Sequence, residues 1–321
     1  MKKSALISGL LLLLLGAMLF HADYVREGAS YGLILWYQAV VPSLFPFMVL
    51  SSLIVAGGGV KTLMKPFYLV LSPFFPISEN GCYVLVSGLL CGYPMGAKTC
   101  SDFVKQGRIS LDEGRFLLSV CNQPSPMFLF GYAAPFLSEH VRIPALFISM
   151  YAPIPVLAFF AGRCRKHTGE DPVSRNGHLT GEESVHKLSP DDSILSAAEI
   201  LVKIGGYLVF FSILIVFFRH ASWITDTVRA AITGILEMTT GIREIAVTVD
   251  FPASFIAIPA VLAFGGLSGL FQTASVLKSD EKKTGLSVRS CFFWKMAHAA
   301  LAALTAAILR ITVPEAPLLF R

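Results

Sequence analysis

Two polar interruptions of an otherwise apolar chain contain the side chains that could bind a small ligand. The first extends from Gly88 to Asp102 and the second from Cys121 to Phe128. A lysine ammonium at a helix start attracts carboxylate or phosphate, whereas side-chain amides beside free carbonyls suit a polar small molecule or a cation. Polar backbone inside a bilayer is tolerated only where protein or a water-filled cavity surrounds it. A binding site is therefore predicted where these interruptions lie.

The first interruption predicts two half-helices. Pro94 should end one of them, and the second should run from Met95 to Gln106. Lys98 and Thr99 then lie in its first turn, beside free N–H groups and the positive end of the helix dipole, which predicts an anion-binding end. The alternative is that Lys98 extends to the cytoplasmic headgroups, as Arg108 would.

The second interruption predicts an unwound stretch inside a membrane helix. Pro124 lacks a backbone donor, and so does the proline two residues later. Carbonyl groups are thereby left free beside Asn122, Gln123 and Ser125, which are predicted to contact the ligand. The alternative is a proline kink whose amide groups bind a neighbouring helix.

Further polar residues in apolar surroundings complete the predicted substrate site. Glu237 precedes Thr239 and Thr240, and Gln272 lies in a later apolar run. An ionisable residue inside the membrane is costly enough to be a functional candidate. Glu237 could carry a proton or pair with Lys98. Alternatively, it lies in water at the interface.

Composition indicates a multi-pass membrane protein. Of 321 residues, 54% are apolar and 15% are charged, with a mean hydropathy of +0.66, whereas soluble domains carry about 25% charge. The net charge is +5, but the basic residues lie mostly in short loops, so nucleic-acid binding is not expected. The cysteines form no C-x-x-C pair, and neither a metal site nor a cofactor is expected.

The elements that position these residues are predicted as an all-α bundle with two repeat-related halves and re-entrant or broken helices. Predicted spans cover residues 4–21, 32–56, 82–95, 115–137, 143–162, 194–218, 252–276 and 290–312, and residues 63–77 and 230–249 are predicted to be re-entrant or interfacial. The predicted divisions are an N-terminal membrane helix and loop (1–29), a first half (30–162), a polar cytoplasmic linker (163–193) and a second half (194–321). The first helix is expected to be retained rather than cleaved as a signal peptide.

A weak internal repeat accompanies this division. Aligning Gly88 with Gly265 also aligns Gly92 with Gly269 and Ala97 with Ala274. Small residues four apart let helix backbones approach closely, and inverted repeats are typical of transporter cores. The alternative is that glycines common to membrane helices coincide.

An enzyme is considered and not predicted. Gly266 to Gly269 matches the short G-x-S-G of rhomboid intramembrane proteases, so a dyad of Ser268 and His298 can be imagined. The match is four residues long and lacks the rest of that pattern.

Four motifs resemble those of the YlbJ-type sporulation integral membrane proteins, within the wider nucleoside-recognition Gate-domain group. They cover Ser87 to Thr99, Gly107 to Gly114, Asn122 to Phe128 and Leu236 to Gly241. Gln123 stands where a second asparagine is expected. The resemblance implies a multi-pass protein of endospore-forming bacteria that moves dipicolinate from the mother cell toward the forespore.

The sequence therefore predicts a transporter or permease for a small anionic metabolite, with dipicolinate as the first candidate substrate. It is expected in the bacterial cytoplasmic membrane, specifically the forespore membrane derived from the mother cell, with H⁺ or Na⁺ as a coupling ion. The alternatives are a non-transporting scaffold of the sporulation machinery and a nucleoside-type solute transporter. The sequence does not predict the oligomeric state.

Overall fold

The chain contains helices and no strands over residues 2–137, 143–163, 189–278 and 284–312, which its computed structural model describes. The helices are, in order, α1 (Lys2–Phe20), α2 (Ala22–Leu35), α3 (Val41–Ala56), α4 (Val60–Leu71), α5 (Glu79–Cys91), α6 (Met95–Lys105), α7 (Leu111–Val120), α8 (Pro126–Phe128), α9 (Ile143–Tyr151), α10 (Pro153–Arg163), α11 (Pro190–Arg219), α12 (Asp226–Leu236), α13 (Met238–Thr248), α14 (Ala253–Phe264), α15 (Gly266–Lys278) and α16 (Val288–Thr312). π-Helical turns connect α2 to α3 (Trp36–Val40) and follow α8 (Leu129–Ala133).

Within these ranges, five helical segments are long and apolar enough to cross a bilayer. They are Ala22–Ala56, Ile143–Arg163, Pro190–Arg219, Ala253–Leu277 and Val288–Ile311. The predicted all-α membrane protein is therefore confirmed. The first segment continues from α2 through the π-helical turn into α3, so the predicted boundary at residue 29 lies inside a helix rather than in a loop.

α5 and α6 form a helical hairpin where a span over residues 82–95 was predicted. They contain 13 and 11 residues, or about 20 and 17 Å at 1.5 Å per residue, which is too short for about 30 Å of hydrocarbon. The chain turns at Gly92 to Pro94, and a Cβ added at Gly88 would lie 2.9 Å from the Cα of Gly96 across the hairpin. These dimensions fit a re-entrant hairpin.

α12 and α13 form a second hairpin of the same kind. Each contains 11 residues, and the chain turns at Glu237. A Cβ added at Gly241 would lie 2.8 Å from the backbone N of Gly234, so glycines again permit the two arms to touch. The segment predicted as re-entrant or interfacial, residues 230–249, corresponds to most of this hairpin.

Each hairpin is followed by a broken helix. α7 ends at Val120, and the chain is non-helical from Cys121 to Ser125 before α8 begins. α14 and α15 are separated by a kink at Gly265 and Gly266, with φ angles of 79° and 69°. Residues with a side chain avoid this backbone region, so glycine permits the second break.

The order of elements is the same in both halves: a hairpin, a broken helix and then helices of a complete span. In this order α5–α6 corresponds to α12–α13, and α7–α8 corresponds to α14–α15. The alignment of Gly88 with Gly265 instead pairs the first hairpin with the second broken helix. A repeat relation between the two halves therefore stays a prediction.

α2 and α3 pack along α11 beside these elements. Cβ atoms added at Gly28 and Gly32 would lie 2.5 and 2.7 Å from backbone atoms of α11. The indole N–H of Trp36 donates a hydrogen bond of 2.8 Å to the carbonyl of Leu201. These contacts hold α2 and the π-helical turn after it against α11.

The predicted linker over residues 163–193 lies mostly outside the described residues. Arg163 is the last residue of α10. Ser189 is the N-cap of α11, with its Oγ accepting a hydrogen bond from the N–H of Asp192. The described ends of this stretch therefore belong to helix termini.

Candidate functional site

The turn of the first hairpin packs against the break between α7 and α8. A Cβ at Gly92 would lie 3.1 Å from the backbone N of Ser125, and one at Gly96 would lie 2.8 Å from the carbonyl carbon of Cys121. A methyl group at Gly96 would overlap that backbone, so glycine allows the close approach. The two polar interruptions identified in the sequence are thus in direct contact.

The turn of the second hairpin is fixed by the side chain of Glu237. Its carboxylate accepts hydrogen bonds of 2.9 Å from the N–H of Thr239 and 2.7 Å from the N–H of Thr240. Glu237 is extended and caps α13, which places its charge at the positive end of that helix. A Cβ at Gly266 would lie 3.1 Å from the Cα of Glu237, so this turn packs against the break between α14 and α15.

Tyr93 connects the two hairpins. Its hydroxyl donates a hydrogen bond to the sulfur of Met238 in the second hairpin. Its ring packs against the glycines of the second break, where Cβ atoms at Gly265 and Gly269 would lie 3.1 and 3.0 Å away. The Nζ of Lys295 lies over the ring, 4.8 Å from the centroid. Tyr93 therefore lies between Lys295 and the second hairpin.

Lys295 is a buried cation inside a candidate membrane span. It is 5% exposed and lies on α16, and its Nζ is 3.5 Å from Oε1 of Gln123. Within the described ranges, no carboxylate forms an ion pair with it. An ionisable residue of this kind inside a membrane is costly and is a functional candidate by default.

Asn122 belongs to the same polar cluster. Its Nδ2 donates a hydrogen bond of 3.0 Å to Oγ1 of Thr273 and lies 4.0 Å from the sulfur of Cys291. Its Oδ1 is buried without a partner in the described part of the chain. Buried polar atoms are normally satisfied, so this oxygen is left for water or a ligand.

A cavity of about 50 Å³ lies on the other side of Tyr93. Four polar residues predicted from the sequence line it: Ser125, Glu237, Thr239 and Gln272. Apolar residues of α3 and α11 close it. This volume can hold a few water molecules, whereas pockets for small-molecule ligands usually measure about 300–1,000 Å³.

The predicted site residues therefore form two adjoining groups rather than one. Ser125, Glu237, Thr239 and Gln272 line the cavity, and Asn122 and Gln123 lie in the Lys295 cluster. Thr240 is fully buried beside Glu237, and its Oγ1 has no partner in the described residues.

Lys98 and Thr99 are outside both groups. Lys98 lies in the first turn of α6, as predicted, but its Nζ forms an ion pair of 2.8 Å with Asp102, and its side chain is 28% exposed. Thr99 is buried but does not line the cavity. Lys295 lies next to the first broken helix, although residues 290–312 were predicted to be an ordinary span. Its position inside an apolar run was the available signal.

The serine and histidine of the imagined protease dyad have other partners. Oγ of Ser268 accepts a hydrogen bond of 3.2 Å from Gln272. Nε2 of His298 lies 2.8 Å from the carbonyl oxygen of Met150. The dyad is therefore not formed in this structure. In the described part of the chain, no three His, Cys, Asp or Glu side chains are grouped so that they could hold a metal ion.

The chain is similar in sequence to a known sporulation membrane protein. No family model matches the chain, and no solved structure matches it. The chain is 25% identical over 313 residues to the sporulation integral membrane protein YlbJ of Bacillus subtilis (strain 168), which covers 86% of this chain and 76% of the relative. The predicted resemblance to the YlbJ-type sporulation integral membrane proteins is therefore confirmed, and the chain is an integral membrane protein.

Proposed function

We propose that the protein is a permease for a small anionic metabolite. The observation that carries this proposal is Lys295, a lysine buried in a candidate membrane span without a carboxylate partner among the described residues. Its hydrogen bond to Gln123 is long, at 3.5 Å, and involves a neutral amide. A ligand carboxylate would compensate the positive charge of Lys295, whereas the neutral amide of Gln123 does not.

The surroundings of Lys295 favour a polar ligand. Gln123 and Asn122 lie in the non-helical break between α7 and α8, where irregular backbone at membrane depth is tolerated if it lines a cavity. The N–H groups of the Gln123 amide can supply a second donor toward an anion. A charged donor and a neutral donor together suit a carboxylate.

Binding of a metabolite requires the site to widen. The adjoining cavity has a volume of about 50 Å³, well below that of ordinary ligand pockets. Tyr93 lines the cavity and lies against Lys295, and Glu237 lines the same cavity, so we expect the two hairpin turns to move during transport. Such lid motions are a common way of admitting and releasing a solute.

Dipicolinate is the first candidate substrate. It carries two carboxylates, and the resemblance to YlbJ-type proteins implies it. The Bacillus subtilis relative is a sporulation integral membrane protein, which supports a role in sporulation for this chain. The protein would then lie in the forespore membrane that derives from the mother cell and would export dipicolinate toward the forespore.

Uptake into proteoliposomes tests the proposal. The purified full-length protein is reconstituted, and entry of labelled dipicolinate is compared with entry of nucleosides and of inorganic anions, with protein-free liposomes as the control. We expect saturable uptake of dipicolinate that other small carboxylates inhibit. Uptake of nucleosides alone would favour a nucleoside-type transporter. No uptake by a correctly folded protein would favour the scaffold.

A further inference from the structure

We infer that the cavity between the two hairpins binds a monovalent cation, Na⁺, with Glu237 as its charged ligand. This site is separate from the Lys295 cluster. The inference rests on the proposed function only in assigning the ion a coupling role, because the binding site itself is argued from the cavity.

The first argument is charge. Glu237 is 2% exposed, lines the cavity and forms no ion pair with a described residue. Each oxygen of its carboxylate accepts one hydrogen bond from a backbone N–H group. These N–H groups carry no full positive charge, so they do not balance the charge of the carboxylate. A buried carboxylate of this kind is expected to be paired, to coordinate a metal or to be protonated.

The second argument is the chemistry of the other side chains around the cavity. Ser125, Thr239 and Gln272 present oxygen atoms, and all three residues are at least nine-tenths buried. The amide of Gln272 uses its Nε2 to donate to Ser268, so its Oε1 is the atom that a cation would contact. Carboxylate, hydroxyl and amide oxygens are ligands for hard cations.

The third argument is size and local field. A cavity of about 50 Å³ accommodates a small ion with water but not a ring carrying two carboxylates. α5 ends at Cys91 on the cavity wall, and the negative end of a helix dipole favours a cation. One carboxylate balances one positive charge, which favours Na⁺ over a divalent ion. Unwound backbone and helix ends are where transporters hold Na⁺.

Ion-dependent stability tests the inference without any anionic substrate. Thermal unfolding of the full-length protein in nanodiscs is followed in NaCl, KCl and choline chloride at constant ionic strength. We expect the melting temperature to rise by about 3 °C for each tenfold increase in Na⁺ above its dissociation constant, with little response to K⁺ or choline.

Variants locate the site. Glu237→Gln keeps an acceptor for capping α13 and should abolish the Na⁺ response. Gln272→Leu removes one neutral ligand and should weaken Na⁺ binding about tenfold, which keeps the inference testable if Glu237→Gln does not fold. Glu244→Gln is the matched control, because Glu244 pairs with Arg219 away from the cavity, and its Na⁺ response should equal that of the wild type.

Three results would overturn the inference. They are equal stabilisation by Na⁺, K⁺ and choline, a full Na⁺ response in both cavity variants, and a stability that follows pH but not Na⁺, which would make Glu237 a proton site. Dipicolinate binding is measured separately in choline chloride. Loss of the Na⁺ site and failure of the anion proposal therefore give different results.

Discussion

Replacing Lys295 by methionine should weaken anion binding and stabilise the empty protein. Methionine has a similar length and is apolar, so it can occupy the space between Gln123 and Tyr93 without a charge. A lysine near the centre of a membrane helix costs about 3 kcal/mol on insertion scales. We therefore expect the substrate-free Lys295→Met protein to be more stable than the wild type by about 1–3 kcal/mol.

The expected loss of affinity follows from the same burial. Removing one partner of a buried, hydrogen-bonded charge pair costs about 2–5 kcal/mol of binding free energy. At about 1.4 kcal/mol per factor of ten, dipicolinate should bind about 30-fold to several thousand-fold more weakly. Lys295→Arg keeps the charge but changes the donor geometry, so it should retain part of the affinity.

Calorimetry of dipicolinate binding and thermal unfolding measure the two effects on the same preparation. Lys203→Met is the matched control, because Lys203 is also a lysine of a candidate span but its side chain is 50% exposed and paired with Glu199 at 2.6 Å. An exposed pair of this kind contributes about 0–1 kcal/mol, and the control should bind like the wild type. If Lys295→Met bound dipicolinate as tightly as the wild type, the anion site would be refuted. If the substrate-free variant were less stable than the wild type, the charge of Lys295 would already be compensated in the empty protein.

Three further substitutions or deletions test the fold around the site. Gly96→Ala should destabilise the protein by about 1–3 kcal/mol in thermal unfolding, because the added methyl group overlaps the neighbouring backbone. Gly206→Ala is the control, since the space around Gly206 is open, and it should not destabilise the protein. Equal effects of the two substitutions would contradict the close packing at Gly96. Tyr151→Phe removes the 2.8 Å hydrogen bond to the carbonyl of Pro124 and should cost about 1–3 kcal/mol of unfolding free energy, and unchanged stability would mean that the carbonyl finds water. Shortening the predicted linker within residues 168–188, which keeps the Ser189 cap of α11, should leave dipicolinate uptake unchanged, since polar segments without apolar periodicity bury little, and lost uptake by a folded protein would disprove the linker.

The breaks next to prolines could be predicted from the sequence because proline and glycine act locally. Pro94 was expected to separate two half-helices, and α5 ends at Cys91 while α6 begins at Met95. The unwound stretch around Pro124 was likewise expected. Whether two half-helices continue in one direction or fold back is decided by contacts between distant residues, so residues 82–95 were interpreted as a span.

The helix break at Gly265 and the burial of Lys295 could not be predicted from the sequence. A pair of glycines in an apolar run is equally typical of close helix packing, and only the backbone angles distinguish a kink. A single lysine in an apolar run is equally compatible with a side chain that extends to the headgroups. Lys98 and Lys295 differ in their neighbours. Asp102 compensates the charge of Lys98, whereas Lys295 lies against Gln123, a contact that the sequence alone does not show.

Tyr93 explains why two buried charges of opposite sign remain separate in this structure. Its ring lies under Lys295, and its hydroxyl contacts Met238, the residue next to Glu237. An ion pair between Lys295 and Glu237 would compensate both charges and leave little attraction for a ligand. Because Tyr93 lies between the second hairpin and Lys295, each charge can instead be compensated by a solute. In the proposed mechanism, an anion at Lys295 and a cation at Glu237 therefore enter as partners, and the hairpin turns that hold Tyr93 and Glu237 are where their binding is coupled.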